Sequence, residues 1–295
     1  MISYLIAIAI IGLIYILLGL ALNLQWGQTG LINFGHVASF AIGAYTSGLL
    51  SLAGWPLPVT IAAAAIVAGL AAWPLGRLTV TLKEDYLAII AIGFSEVVRS
   101  IIENESWLTR GPSGIPGIPS LFADLPATER GFAIVVVLLI ACAIVLVLLE
   151  RLIRAPFGRT LRAIRDNEMA AQALAKDIVG FKTRSLVLGA GIAGLAGAFY
   201  AHYLTFISPE QFTPEVTFNV WIAVIVGGSG SNLGTIIGTI LLIIFLEGSR
   251  FLNDFGLALD GSQLGALRFM LIGVALVLCM LFRPNGIIQA GKGRS

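Results

Sequence analysis

The chain has 295 residues, of which 58% are hydrophobic and only 12% charged, with a mean hydropathy of +0.95. An ordinary soluble domain carries about 25% charged residues, yet here the first charged side chain is Arg77. That excludes a soluble enzyme, a nucleic-acid binder and a disordered chain, and leaves an all-α, polytopic helical membrane protein.

Continuous apolar runs at 4–24, 35–53, 57–76, 86–102, 131–149, 185–206, 216–228, 233–250 and 267–282 predict nine spans, with eight as the alternative. The runs at 35–53 and 216–228 adjoin Gly-rich breaks. A β-barrel is excluded because the runs do not alternate in polarity. The uncharged start lacks the basic region of a signal peptide. Cys142 and Cys279 lie in apolar runs without metal-ligand spacing and read as small core residues.

Placing the 150–184 loop in the cytoplasm puts thirteen of the 18 Lys and Arg residues inside. This predicts an outside N-terminus, a cytoplasmic C-terminus and an outside loop at 103–130. No polar stretch is long enough for a second domain, so residues 1–295 read as one membrane domain.

The 150–184 loop reads as two short helices. Leu161 and Ile164 recur at helical spacing, with Arg159, Arg162 and Arg165 outward or sideways. Asp166 or Asn167 suits the cap of a second helix, Glu168 its first turn and Gly180 its stop. Ala170, Ala171, Ala173 and Ala175 present small residues for close approach by a partner. The other reading is a basic loop lying on anionic membrane lipid.

Glu168, Ala170, Ala171 and Gly180 resemble the Glu-Ala-Ala-then-Gly coupling segment of ABC-importer permeases. The segments "LALNLQWGQTGLINFGHVASFAIGAYTSGLL" (20–50), "KEDYLAIIAIGFSEVVRSI" (83–101), "LVLGAGIAGLAGAFYA" (186–201) and "FRPNGI" (282–287) are similar to the LivM-type permease subunit of the branched-chain amino acid ABC transporter family. The resemblance implies a bacterial cytoplasmic (inner) membrane and a second, LivH-like permease subunit. It also implies two cytoplasmic ATPase subunits gripping the loop, and an outside binding protein delivering the amino acid.

The chain itself is expected to bind no cofactor and to hydrolyse no ATP. Gly286, Gly291 and Lys292 give G-x-x-x-x-G-K, but Gly293 stands where a phosphate-binding loop needs Ser or Thr. No metal-spaced cluster or nucleophile–base pairing appears.

Two segments interrupt helices, "QWGQTGLINFGH" (25–36) and "VGGSGSNLGTIIG" (226–238). Their shared pattern, Gly27–Thr29–Gly30 against Gly227–Ser229–Gly230, suggests discontinuous helices related by an internal pseudo-repeat, read as inverted, with a pathway between them. Gln28, Thr29, Asn33, His36, Gly227 and Gly230 are then candidate pathway residues. So is Glu96, which can pair with Arg99 on one helix face. Interhelical packing polarity is the alternative for each. Competing functions are an ion-coupled secondary transporter and a urea or short-amide permease of the same type.

Overall fold

A computed structural model describes residues 2–78 and 84–248, and beyond them positions 270, 273, 274, 277, 281 and 286–288. Most of the span read at 267–282, together with Cys279 and the Gly291–Gly293 segment, lies outside the described residues; the described positions of that span are helical.

The described chain is all-α apart from one pair of two-residue strands. Helix α1 (Ile2–Leu22) runs on into a π-helical turn (Asn23–Gly27), and an irregular stretch, 28–35, follows. Then come α2 (His36–Leu52), α3 (Leu57–Leu78), α4 (Glu84–Asn104), the short α5 (Ser106–Thr109) and α6 (Ala127–Arg154). Two short helices, α7 (Pro156–Asp166) and α8 (Glu168–Ala173), precede α9 (Ile178–Leu204), α10 (Pro214–Gly227) and α11 (Asn232–Gly248).

Ile2–Gly27, α3, α6 and α9 are each long and apolar enough to cross a membrane. The runs read as spans at 35–53, 216–228 and 233–250 form helices of 17, 14 and 17 described residues, shorter than the other spans. Helix α4 is long enough at 21 residues, but charged side chains interrupt it.

Helix α9 is the centre of the bundle, because its small face lets three neighbours approach. A Cβ at Gly194 would meet Ala68 and Ala64 of α3, and one at Gly197 would meet the Phe40 carbonyl of α2. A Cβ at Gly189 would meet Gln25. The glycines thus serve packing within the subunit. Helix α6, by contrast, turns Val136, Ile140, Ile144 and Leu148 outward, as a lipid-facing surface would.

Contacts fix the relative directions. Gly131 of α6 lies on Ile6 of α1, and Cys142 donates to the Leu13 carbonyl, so α1 and α6 are parallel. Tyr4 bonds Glu247 at one end, while Gly19 abuts Thr235 towards the other, so α11 is antiparallel to α1. Residues 286–288 sit at the end opposite Glu247, where Ile287 N–H donates to the Val226 carbonyl.

We call the end holding Gly27 and α7 inner, and its opposite outer. At the outer end, β1 (Ile115–Pro116) pairs antiparallel with β2 (Phe206–Ile207), fastening the 103–130 loop to the segment after α9. Buried His202 donates from Nδ1 to the Pro119 carbonyl (2.7 Å) and accepts at Nε2 from Ser47 (2.8 Å).

Candidate functional site

The first break begins where α1 loosens to a π turn and ends at Gly27. The chain then doubles back through 28–35, where no residue is fully exposed, before α2 starts at His36. Irregular backbone at membrane depth must be satisfied by protein, and side chains of this segment do that. Asn33 Nδ2 donates to Gln25 Oε1 (3.0 Å), and Gly35 N–H donates to Asn33 Oδ1 (2.9 Å). Gln25 in turn donates to the Leu186 carbonyl of α9. Thr29 Oγ1 bonds Ser185 Oγ of α9 at 2.7 Å. His36 Nε2 donates to the Leu18 carbonyl at 3.2 Å.

The second break is a tight turn, 228–231, between α10 and α11. Gly227 is the last helical residue, and Gly230 adopts φ of 84°. A side chain at Gly227 would run into the Gly234 carbonyl, so α10 and α11 touch backbone to backbone there.

The two breaks meet directly. Asn23 is the clasp: its Nδ2 donates to Asn232 Oδ1 (2.9 Å), and its Oδ1 accepts from Gly230 N–H (2.8 Å). Gln28 Nε2 donates to the Gly230 carbonyl at 2.7 Å. Asn232 also donates to Glu150 Oε1 at the foot of α6. Beside the clasp, Trp221 donates to the Asn33 carbonyl and its ring meets those of Trp26 (4.6 Å) and Phe34 (4.9 Å). Gln28 Oε1 and His36 Nδ1 are buried with no partner among the described residues.

The local match of the breaks extends to conformation, since Gly30 also sits at positive φ, 80°. The relation is not inverted, however. Tyr15 faces Asn219, and Gly27 abuts Gly230, so the helices leading into the breaks run the same way. Past the breaks the likeness ends: one continues as irregular chain to residue 35, the other enters α11 at Asn232.

The inner elbow reaches this clasp. Pro156 starts α7, Leu161 and Ile164 bury its apolar side, and Asn167, not Asp166, caps α8 by accepting from Ala170 N–H. Arg165 turns inward, and its Nη1 donates to the Gly27 carbonyl. Arg159 stays exposed and Arg162 half-buried. Glu168 Oε2 binds Lys182 of α9 at 2.7 Å, with the lysine side chain 8% exposed.

Two expectations for the elbow need correction. Gly180 does not end α8. It stands in the first turn of α9, where Asp177 caps it by accepting its N–H, and α8 already stops at Leu174. Ala175, beyond that stop, takes a left-handed φ of 56°. Ala171 is not on the free surface either: it is 4% exposed and faces α7 across a cavity of about 260 Å³ lined by Arg159, Ala163 and Lys176. The outward apolar side chains are Met169 (79% exposed) and Leu174 (74%), with Ala170 and Ala173 between them.

Glu96 lies away from the breaks, on α4. Arg99 binds it at 3.0 Å and Glu103 at 2.6 Å, forming a half-exposed triad on one helix face. Sequence reading did not single out Asn23, Gln25, Ser185, Asn232 or Lys182. The available signal was amide side chains inside an otherwise uncharged span, which must face protein rather than lipid. Among the described residues no group of His, Cys, Asp and Glu is placed to hold a metal ion.

The family model for the permease component of branched-chain amino acid transport systems matches residues 4–280. The chain is 32% identical to the LivM permease protein of the high-affinity branched-chain amino acid transport system of Escherichia coli K12, over 95% of this chain and 69% of that one. A LivM branched-chain amino acid transport permease of Methanocaldococcus jannaschii is 28% identical over 93% of this chain and 90% of its own. The LivH permease protein of E. coli K12 is 24% identical over 94% and 92%. No solved structure matches. Nearly the whole chain being covered, this multi-pass membrane protein belongs to the branched-chain amino acid transport system permease family.

Proposed function

We propose that this chain is a permease subunit of an ATP-driven importer of branched-chain amino acids in the bacterial cytoplasmic membrane, with its C-terminus inside. Family membership and the LivM relatives support the substrate class. A LivH-like permease completes the pore, two ATPase subunits supply the work, and an outside binding protein delivers the amino acid. The chain is one membrane domain with no ATPase site or cofactor of its own.

One observation carries the mechanism: Arg165 of the elbow holds the backbone of Gly27, where the two broken helices meet. A motor seated on α7–α8, against Met169 and Leu174, pulls on the clasp through Arg165 and through the Glu168–Lys182 pair. Arg159, Arg162, Ala170 and Ala171 shape the elbow, and Gly180 begins the helix that receives it. Loosening the clasp parts Gln28 and Asn23 from Gly230 and frees the donors of the 28–35 segment. Thr29, Asn33, His36 and the backbone at Gly227 and Gly230 then offer polar groups to a zwitterion, beside the rings of Trp26, Phe34 and Phe218 that suit an apolar side chain. Glu96, on α4 and away from the breaks, serves instead in a structural pair with Arg99.

Reconstitution tests this. The chain with permease partner, ATPases and binding protein should accumulate leucine, isoleucine or valine when ATP is supplied. Accumulation by vesicles holding this chain alone would contradict the proposal, as would saturable ATP binding to the chain.

A further inference from the structure

A cavity of about 920 Å³ opens at the inner end between α3, α6 and α9, apart from the clasp. Its apolar wall is Leu152, Val187 and Leu188, and Trp73 stands at its edge, 48% exposed. The wall continues into the outward surface of Leu70 and Leu148, which faces the bilayer in a membrane-spanning bundle. Arg77 and Arg184 both line the cavity, and among the described residues neither forms a salt bridge. Arg77 lies over the Trp73 ring at 4.8 Å, and Arg184 over the Phe181 ring at 5.9 Å. Thr183, on the same wall, is 6% exposed, and its buried hydroxyl has no hydrogen-bond partner. One acidic residue, Asp177, also lines the space; its Oδ1 is engaged in capping Gly180.

We infer that this cavity is a binding site for an anionic phospholipid of the inner leaflet. An acyl chain lies along Leu152, Val187 and Leu188. The headgroup phosphate sits between Arg77 and Arg184, with the Thr183 hydroxyl as a further donor. The charge fits: among the described residues Arg77 and Arg184 have no salt-bridge partner, and such cations at the headgroup level of a helix bundle are the feature that recruits acidic lipids. The tryptophan fits as well, since its amphipathic ring settles at the membrane–water boundary. The site joins the foot of α3 to the start of α9, so an occupant braces the helix that receives the elbow.

Native mass spectrometry of the full chain, with whatever subunits accompany it, tests the inference. The protein is equilibrated in detergent with equal phosphatidylglycerol and phosphatidylethanolamine. The wild-type chain should retain phosphatidylglycerol in preference, and Arg77→Gln/Arg184→Gln should lower that preference about tenfold. Arg77→Lys/Arg184→Lys should keep most of it. Equal retention of the two lipids by the wild-type chain would overturn the proposal without recourse to any variant. So would an unchanged preference in the glutamine variant, or a crosslink from Leu188→Cys to a companion protein in place of lipid.

Discussion

Arg165 donates a hydrogen bond to the carbonyl of Gly27, joining the elbow helix α7 to the last residue of the π-helical turn. That carbonyl stands at a helix end, where no intrahelical donor is available. A charged donor to such a group contributes more than a neutral one. In the same π-helical turn Asn23 bonds both Gly230 and Asn232, and Asn232 in turn bonds Glu150 at the foot of α6. The elbow and both broken helices therefore form one connected polar assembly inside an otherwise apolar bundle.

If Asn23 is the clasp, its removal should cost more than a typical surface change. Asn23→Ala leaves Gly230 N–H and Asn232 short of a partner, and about 1–3 kcal/mol of stability should be lost. A double-mutant cycle with Asn232→Ala, followed by thermal unfolding in detergent, should give a coupling of about 0.5 kcal/mol or more. Additive losses would show that the pair does not act together.

In the proposed docking of an ATPase on the elbow, the exposed Met169 and Leu174 are the contact side chains. Met169→Asp and Leu174→Asp should leave membrane insertion at the wild-type level and remove the ATPase subunits from a mild-detergent purification. Ala171→Arg should act differently: it sets a further cation into the space already lined by Arg159 and Lys176 and lowers folded yield by like-charge repulsion. Full ATPase recovery with both aspartate variants would exclude this surface.

Close packing of α2 on α9 makes a third prediction. At Gly197 an added Cβ would collide with the Phe40 carbonyl, whereas at Gly93 of α4 nothing lies within 4 Å. Gly197→Ala should therefore lose about 1–3 kcal/mol. Gly93→Ala should be neutral or gain up to about 1 kcal/mol, since alanine favours the helix. Melting temperatures of the two variants in one detergent check the contrast; equal shifts would contradict it.

Much of this was legible in the sequence. The uncharged first 76 residues dictate membrane helices, the two glycine-rich segments mark the breaks, and Leu161 with Ile164 marks the buried side of α7. Local chemistry also gave Asn167 as a cap option and the Glu96–Arg99 pairing. What stayed hidden depends on the tertiary path. Asp177 and Asn167 are both cap residues, so a glycine three positions beyond Asp177 reads equally as a stop or a start; only the continuation of α9 decides. Whether the breaks relate as parallel or inverted depends on how many helices cross between them. Arg165 reads as one more outward cation, because nothing local tells that the Gly27 carbonyl waits beside it.

The coupling of elbow to clasp is tested most directly by measuring ATP hydrolysis and leucine uptake together, in proteoliposomes holding the complete transporter with Arg165→Ala. Removing a charged hydrogen bond of about 1.5–3 kcal/mol should lower uptake per ATP hydrolysed by about tenfold or more, with the ATPases still bound and hydrolysing. An unchanged ratio of uptake to hydrolysis would contradict the account.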